Sequence, residues 1–379
     1  MRMHFQNRLL ACVLLAASSG GFAAQAGATA EKVLYSFTGE SDGDQPMSGL
    51  IESGGTLYGT TLGGGDFGYG TVFKVSTAGH ETVLHSFQAG TDGNEPTFLI
   101  SDRSGNLYGT TGYGGDACQC GTVFKISASG QETIVYAFKG GDDGQAPGGL
   151  AIGKDGNLYG TTAIGGAYSA GTIFKIDTDG TESVLYSFGG VQNDGTYPVA
   201  PIMDAKGNLY GATTYGGSNN KGTVFKFSTR MKTEKTLYSF SNSDGTYPSQ
   251  LMRDRSGNLY GTLGLGGAHT GGSVFKVTKG GVGSIVYAFT GGDDGCAPEA
   301  PLLSDKAGNL YGTAWECGHF VGTVFKIDSA GGFSTLYEFQ QGSDAAGPMG
   351  SLVRSHGKLY GTSSHGGSNN NGAVFELKP

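Results

Sequence analysis

Long apolar runs are scarce in this sequence. The stretch Leu9 to Ala17 is too short to anchor in a bilayer, and no later segment is apolar enough to cross one as a helix. Positive charge is also in short supply, with 24 Lys and Arg against 32 Asp and Glu and a formal net charge of −8. That balance excludes the basic footprint of a nucleic-acid-binding protein, and an anionic membrane surface would repel the chain. No nucleophile motif, phosphate-binding loop or zinc-ligand spacing occurs, and no Asp-x-Asp-x-Asp run gathers the oxygens that calcium needs. No cofactor and no metal are therefore expected.

Glycine and aromatics are plentiful instead: 72 Gly, 21 Phe and 19 Tyr. Glycine punctuating short aromatic and β-branched runs is the pattern of many brief strands joined by tight turns. Residues 1–30 stand outside that pattern. Arg2 and Arg8 precede the apolar stretch, and Ala24-Gln25-Ala26 offers a small-x-small cleavage site. This reads as a secretory signal cut after Ala26 or Ala30, leaving residues 31–379 as one domain that is secreted or periplasmic, where disulfides are permitted. Its loss removes two arginines and no acid, taking the net charge from −8 to −10.

One unit of about 50 residues recurs seven times. Leu-Tyr-Gly places tyrosines at 58, 108, 159, 210, 260, 311 and 360, and Gly-(Thr/Ser/Ala)-(Val/Ile)-Phe places phenylalanines at 73, 124, 174, 225, 275, 325 and 375. An aromatic-x-Phe pair, His-x-Phe in one copy, ends at 37, 87, 138, 188, 240, 289 and 339, and prolines recur at 46, 96, 147, 198, 248, 298 and 348. Each unit reads as four strands, a to d. In the second copy these are a around Leu99-Ile100, b from Asn106 to Thr110, c from Gly121 to Ile126 and d from Glu132 to Phe138. Four strands at this period predict an all-β, seven-bladed β-propeller of four-stranded blades. The repeat starts on a lone strand d, Val33 to Phe37, and finishes on a strand c, Ala373 to Leu377. Pairing the two closes the ring, the N-terminal strand completing the last blade.

The segments Gly-Asn-Leu-Tyr-Gly-Thr-Thr, Gly-Gly, Gly-Thr-Val-Phe-Lys and Leu-Tyr-Ser-Phe resemble the GloVer (Gloeobacter/Verrucomicrobia) repeats of exported bacterial proteins. The resemblance spans the chain after its leader and implies export, but brings no activity with it.

Repeated residues are expected to be structural. Tyr58, Tyr108, Phe73 and Phe124 read as core between blades. Asp42, Asp92, Asp143, Asp194, Asp244, Asp294 and Asp344 read as turn residues whose carboxylates bond nearby backbone N–H groups. Function should lie where the repeat breaks. Thirteen tyrosines occupy repeated strand positions; the other six (Tyr69, Tyr113, Tyr168, Tyr197, Tyr215 and Tyr247) all fall in b–c or d–a loops, which share one face of a propeller. Phe67, His269 and Trp315 lie in b–c loops too, while the opposite face carries short charged turns with Phe333 as its one conspicuous aromatic.

Flat rings at loop positions offer contact area at small entropic cost. The expected function is accordingly an exported, monomeric binding module for a glycan or cell-surface polymer, using Tyr113, Tyr197, Tyr215, Tyr247, Trp315, Glu316 and His365. A polysaccharide lyase or glycoside hydrolase on the same face is the first alternative, with Glu316, His319 and His365 as acid–base candidates. A protein-interaction scaffold is the second. Blade six breaks the Gly-Gly pattern with Ala314-Trp315-Glu316-Cys317-Gly318-His319-Phe320. Cys296 and Cys317 fall in loops of that one blade on one face and are expected to form a disulfide. Cys118 and Cys120 then pair with each other or stay reduced.

Overall fold

The computed structural model describes residues 31–115, 117–317, 321–340 and 342–379; the proposed signal segment, His319 and Phe320 lie outside them. The repeated Leu-Tyr-Gly and Gly-Thr-Val-Phe runs become adjacent antiparallel strands, and each copy of the unit forms a four-stranded antiparallel sheet. Seven such sheets make a seven-bladed β-propeller. In blade 2 the strands are a, Asn94–Ser101; b, Leu107–Tyr113; c, Thr122–Ile126; and d, Glu132–Ala137. Strand a is split in blades 4 and 5, as Gly195–Pro198 with Ile202–Met203 and as Thr246–Pro248 with Met252–Arg253.

Closure runs as the repeat offset predicts. Strand Glu31–Ser36 pairs antiparallel with Ala373–Leu377, Val33 opposite Phe375 and Ser36 opposite Ala373, so blade 7 is built from both ends of the repeat array. In all seven blades the c–d ladder slips by one residue at the same place, beside Leu34 in blade 7 and Leu84 in blade 1. Such a bulge bends and twists the outermost strand.

The core lies between blades. The last Phe of each strand d meets the strand c Phe of the next blade edge to face. Phe37–Phe73, Phe87–Phe124, Phe138–Phe174 and Phe188–Phe225 have ring centroids 5.0 to 5.1 Å apart, and Phe240–Phe275, Phe289–Phe325 and Phe339–Phe375 complete the ring. Such pairs contribute about 0.5–1.5 kcal/mol beyond the area they bury. All seven strand c phenylalanines are buried.

Tyr58 and Tyr108 pack against the inter-blade core as expected, each half-buried. The hydroxyl of Tyr108 reaches Asp102 in the a–b turn, and those of Tyr159, Tyr210 and Tyr311 donate to Asp155, Asp204 and Asp305. A phenol needs a partner for its O–H, so its ring packs inward while its tip stays at the turn.

The glycine of Leu-Tyr-Gly is a packing requirement. A Cβ on Gly109 would stand 2.3 Å from Phe124 Cζ and 2.5 Å from the carbonyl oxygen of Phe98. Gly109→Ala should therefore cost about 1–3 kcal/mol, the usual penalty for overpacking. Urea denaturation measures it, and an unchanged midpoint would mean that the Phe124 ring moves aside freely.

Candidate functional site

Two repeat positions meet at the end of each blade: the residue two before the repeated proline, on strand a, and the residue five after the Leu-Tyr-Gly tyrosine, at the end of strand b. The ladders place them side by side. Asn94 lies opposite Tyr113, Thr196 opposite Tyr215, Thr246 opposite Leu265, Cys296 opposite Glu316 and Ala346 opposite His365. Tyr113, Tyr215, Glu316 and His365 thus hold equivalent register positions in blades 2, 4, 6 and 7. Tyr113, Tyr197, Tyr215 and Tyr247 are part of strands rather than loops, because a–b pairing continues past the Thr-Thr pair.

Three of these rings touch. Tyr215 packs edge to face on Tyr197, centroids 5.6 Å apart, and on Tyr247, 5.9 Å apart, and its hydroxyl lies 3.4 Å from that of Tyr247. The cluster bridges blades 4 and 5, and Tyr197 remains 39% exposed. Tyr197 and Tyr247 have left-handed backbones, φ +58° and +62°, but so do Gln45, Glu95, Ala146, Ala297 and Gly347 at the same position. The conformation belongs to the repeat rather than to the tyrosines.

The other candidates stand on separate blades. Tyr113 is exposed on blade 2. On blade 6 Glu316 is exposed and Trp315 half-buried, and the Glu316 and Cys296 backbones bond reciprocally at 2.9 and 3.4 Å. The expected Cys296–Cys317 disulfide is formed, with Cα atoms 5.3 Å apart, and fastens this b–c loop to the d–a loop beside it. Cys118 and Cys120 are also bonded to each other. On blade 7 His365 is exposed, its Nδ1 2.8 Å from Ser364 Oγ. Phe333 is no loop residue; it opens strand d of blade 6 and stacks on Tyr287 at 4.0 Å.

A second arrangement, on the outer strands, escaped the sequence reading. The seven aspartates do cap turns: Asp92, for example, accepts the Gln88 N–H at 2.8 Å. They also accept the hydroxyl of the aromatic-x-Phe tyrosine, at 2.7 to 2.9 Å for Tyr35, Tyr136, Tyr186, Tyr238, Tyr287 and Tyr337. In five copies a glutamate at or near the start of the next blade's strand d faces the same aspartate. Burial and the Asp344 charge push Glu31 up to about 8, and burial and Asp143 do the same to Glu182, each carboxyl hydrogen-bonding to its aspartate. Burial, then Asp42 and Asp194, raise Glu81 and Glu234 to about 7. Glu132 is raised by burial and by Asp92, against His85. The recurrence of glutamate at that point was a signal available in the sequence. A cleft of about 680 Å³ opens beside the Glu31–Asp344 pair, lined also by Tyr35 and Tyr337, away from the tyrosine cluster.

A closed ring of seven four-stranded blades defines a β-propeller. The chain belongs to the Gloeobacter/Verrucomicrobia repeat family, whose model matches residues 17–151, 116–321 and 252–379. No curated protein matches the sequence. Among solved structures the chain is similar to virginiamycin B lyase from Staphylococcus aureus, at 14% identity over 93% of this chain and 99% of that one, with a TM-score of 0.63. It is also similar to oligogalacturonate lyase from Vibrio parahaemolyticus, at 11% identity over 89% of each chain, with a TM-score of 0.59. At these identities the likeness shows the fold.

Proposed function

We propose that this protein is an exported, monomeric binding module for a glycan or cell-surface polymer, which it holds on the face bearing the b–c and d–a loops. The observation that carries the reading is the Tyr197–Tyr215–Tyr247 cluster. Its three rings sit at register-defined positions across two blades and are partly exposed. Apolar sugar faces stack on such rings, and phenol hydroxyls supply directional bonds at the edges. Two disulfides suit an oxidising compartment, and among the described residues no helix is long and apolar enough to cross a membrane. Tyr113, Trp315, Glu316 and His365 extend the surface around the ring.

A glycan array probed with the purified protein should yield polymer ligands. Tyr215→Ala should then weaken the best of them by about 1–3 kcal/mol, the scale of an aromatic hot spot, in a protein that circular dichroism shows to be still folded. Normal binding by that variant, together with lost binding on changes to the a–b or c–d turns, would put the site on the opposite face.

One observation favours a lyase or hydrolase as the second reading: Glu316 and His365, a carboxylate and an imidazole, are both exposed at equivalent positions of adjacent blades. In that case Glu316→Gln should abolish turnover of an array hit while leaving its binding nearly intact. A polymer left uncleaved by the unaltered protein removes this reading.

A further inference from the structure

The outer-strand cluster between blades 1 and 2 differs from its six counterparts. Elsewhere a tyrosine hydroxyl meets the aspartate, whereas here the aromatic-x-Phe pair carries His85. Its Nε2 lies 3.2 Å from both carboxylate oxygens of Asp92. Glu132 approaches from blade 2, and a ligand atom from each of the three residues lies within 4.8 Å of the others. All three side chains are half-buried, and Glu132 Oε1 is buried with no hydrogen-bond partner.

We propose that His85, Asp92 and Glu132 bind a divalent transition-metal ion of the zinc class, which clasps blade 1 to blade 2. One borderline imidazole nitrogen and two hard carboxylate oxygens form a donor set of the kind zinc accepts, with water free to take the remaining position. Zinc bonds of about 2.0–2.1 Å to nitrogen and about 2.0–2.2 Å to oxygen imply tetrahedral edges of about 3.4 Å. The 3.2 Å separations from His85 to Asp92 are close to such an edge. A modest swing of the Glu132 side chain brings in the third donor.

The neighbouring copies show why the imidazole matters. Tyr136 and Tyr337 present a hydroxyl proton to Asp143 and Asp344, and the facing Glu182 and Glu31 keep their own protons. In those copies protons relieve the meeting of two carboxyls. A neutral imidazole offers a lone pair instead, so a dication can take the place of those protons and join all three groups.

The repeat supplies its own control. His85→Tyr restores the residue present in the other six copies and should fold with the melting temperature of the metal-free protein. Untagged full-length protein, stripped with EDTA and dialysed, is titrated with zinc sulfate by calorimetry and melted with and without zinc. The unaltered protein should bind one equivalent and melt at a higher temperature with zinc. His85→Tyr and Glu132→Gln should each bind at least about 100-fold more weakly and lose the thermal shift, since loss of a ligand exceeds the 10- to 100-fold cost of losing an outer partner. Saturation with cobalt should give a d–d absorption band that His85→Tyr lacks. Absence of saturable zinc binding, equal binding by His85→Tyr, or calcium binding equally well to both proteins would overturn the proposal.

Discussion

Deletion of residues 31–38 is expected to lower the melting temperature by roughly 5–10 °C, or to prevent cooperative folding altogether. The segment supplies strand d of blade 7, and its removal exposes the whole edge of Ala373–Leu377, whose five residues are all buried. It also removes Leu34 and Phe37 from the core with Leu57 and Phe73, and the Tyr35 hydroxyl from Asp42. Two large apolar side chains at about 1.5–3 kcal/mol each, with the lost ladder, amount to several kcal/mol. At about 2.1 cal/mol/K of unfolding entropy per residue, each kcal/mol shifts the melting point of a domain this size by about 1–2 °C. The naked edge should also favour self-association, visible by light scattering. A truncated protein that stays monomeric and melts with the full chain would show that the ring does not depend on this clasp.

Raising the pH from 5 to 9 is expected to lower thermal stability progressively, by an amount set by the glutamates on the outer strands. Folding raises Glu31 and Glu182 to about 8, and Glu81 and Glu234 to about 7, from an ordinary value of 4.5. Below 4.5 both folded and unfolded chains hold these protons and the contribution is complete. Between 4.5 and about 8 the unfolded chain releases them while the folded chain must retain them, so stability is lost as the pH rises. Above about 8 these four groups add no further dependence. The opposite limb belongs to Asp102, Asp204, Asp294 and Asp305. Hydrogen bonds, from Asn106, Asn208, Thr290 and Asn309 among others, outweigh burial there and hold the carboxyls below 3.8. Their contribution is lost as the pH falls through that region. Calorimetric melting at constant ionic strength should therefore give a maximum near pH 4–5. Changing the four glutamates together to glutamine should flatten the alkaline limb. An unaltered slope in that variant would place the dependence in other groups.

These two results depend on different kinds of information. The seven blades, the closing strand pair and the Cys296–Cys317 bridge were legible from spacing alone. Each unit of a propeller contacts its neighbours in the same way, so a motif recurring in sequence must recur in space, and an offset between the ends must be made good by pairing. The aromatic face was legible for a related reason: antiparallel strands return every b–c and d–a connection to one side of the ring.

The actual contacts on that face were not legible. Tyr197, Tyr215 and Tyr247 touch because a–b pairing continues past the Thr-Thr pair and because the residue before each proline adopts a left-handed backbone. Nothing in the motif states either condition. The carboxyl pairs and the His85–Asp92–Glu132 cluster were hidden for a further reason. A turn aspartate and a strand d glutamate look like two ordinary solvated charges within their own repeats. Only the docking of one blade's outer strand against the next blade's turn brings them together out of water, where burial and mutual repulsion change what each can hold. The sequence by itself determined the repeating unit, the number of units and how the ring closes. The packing between units decided which side chains share a proton, and which three meet at spacings a metal ion can bridge.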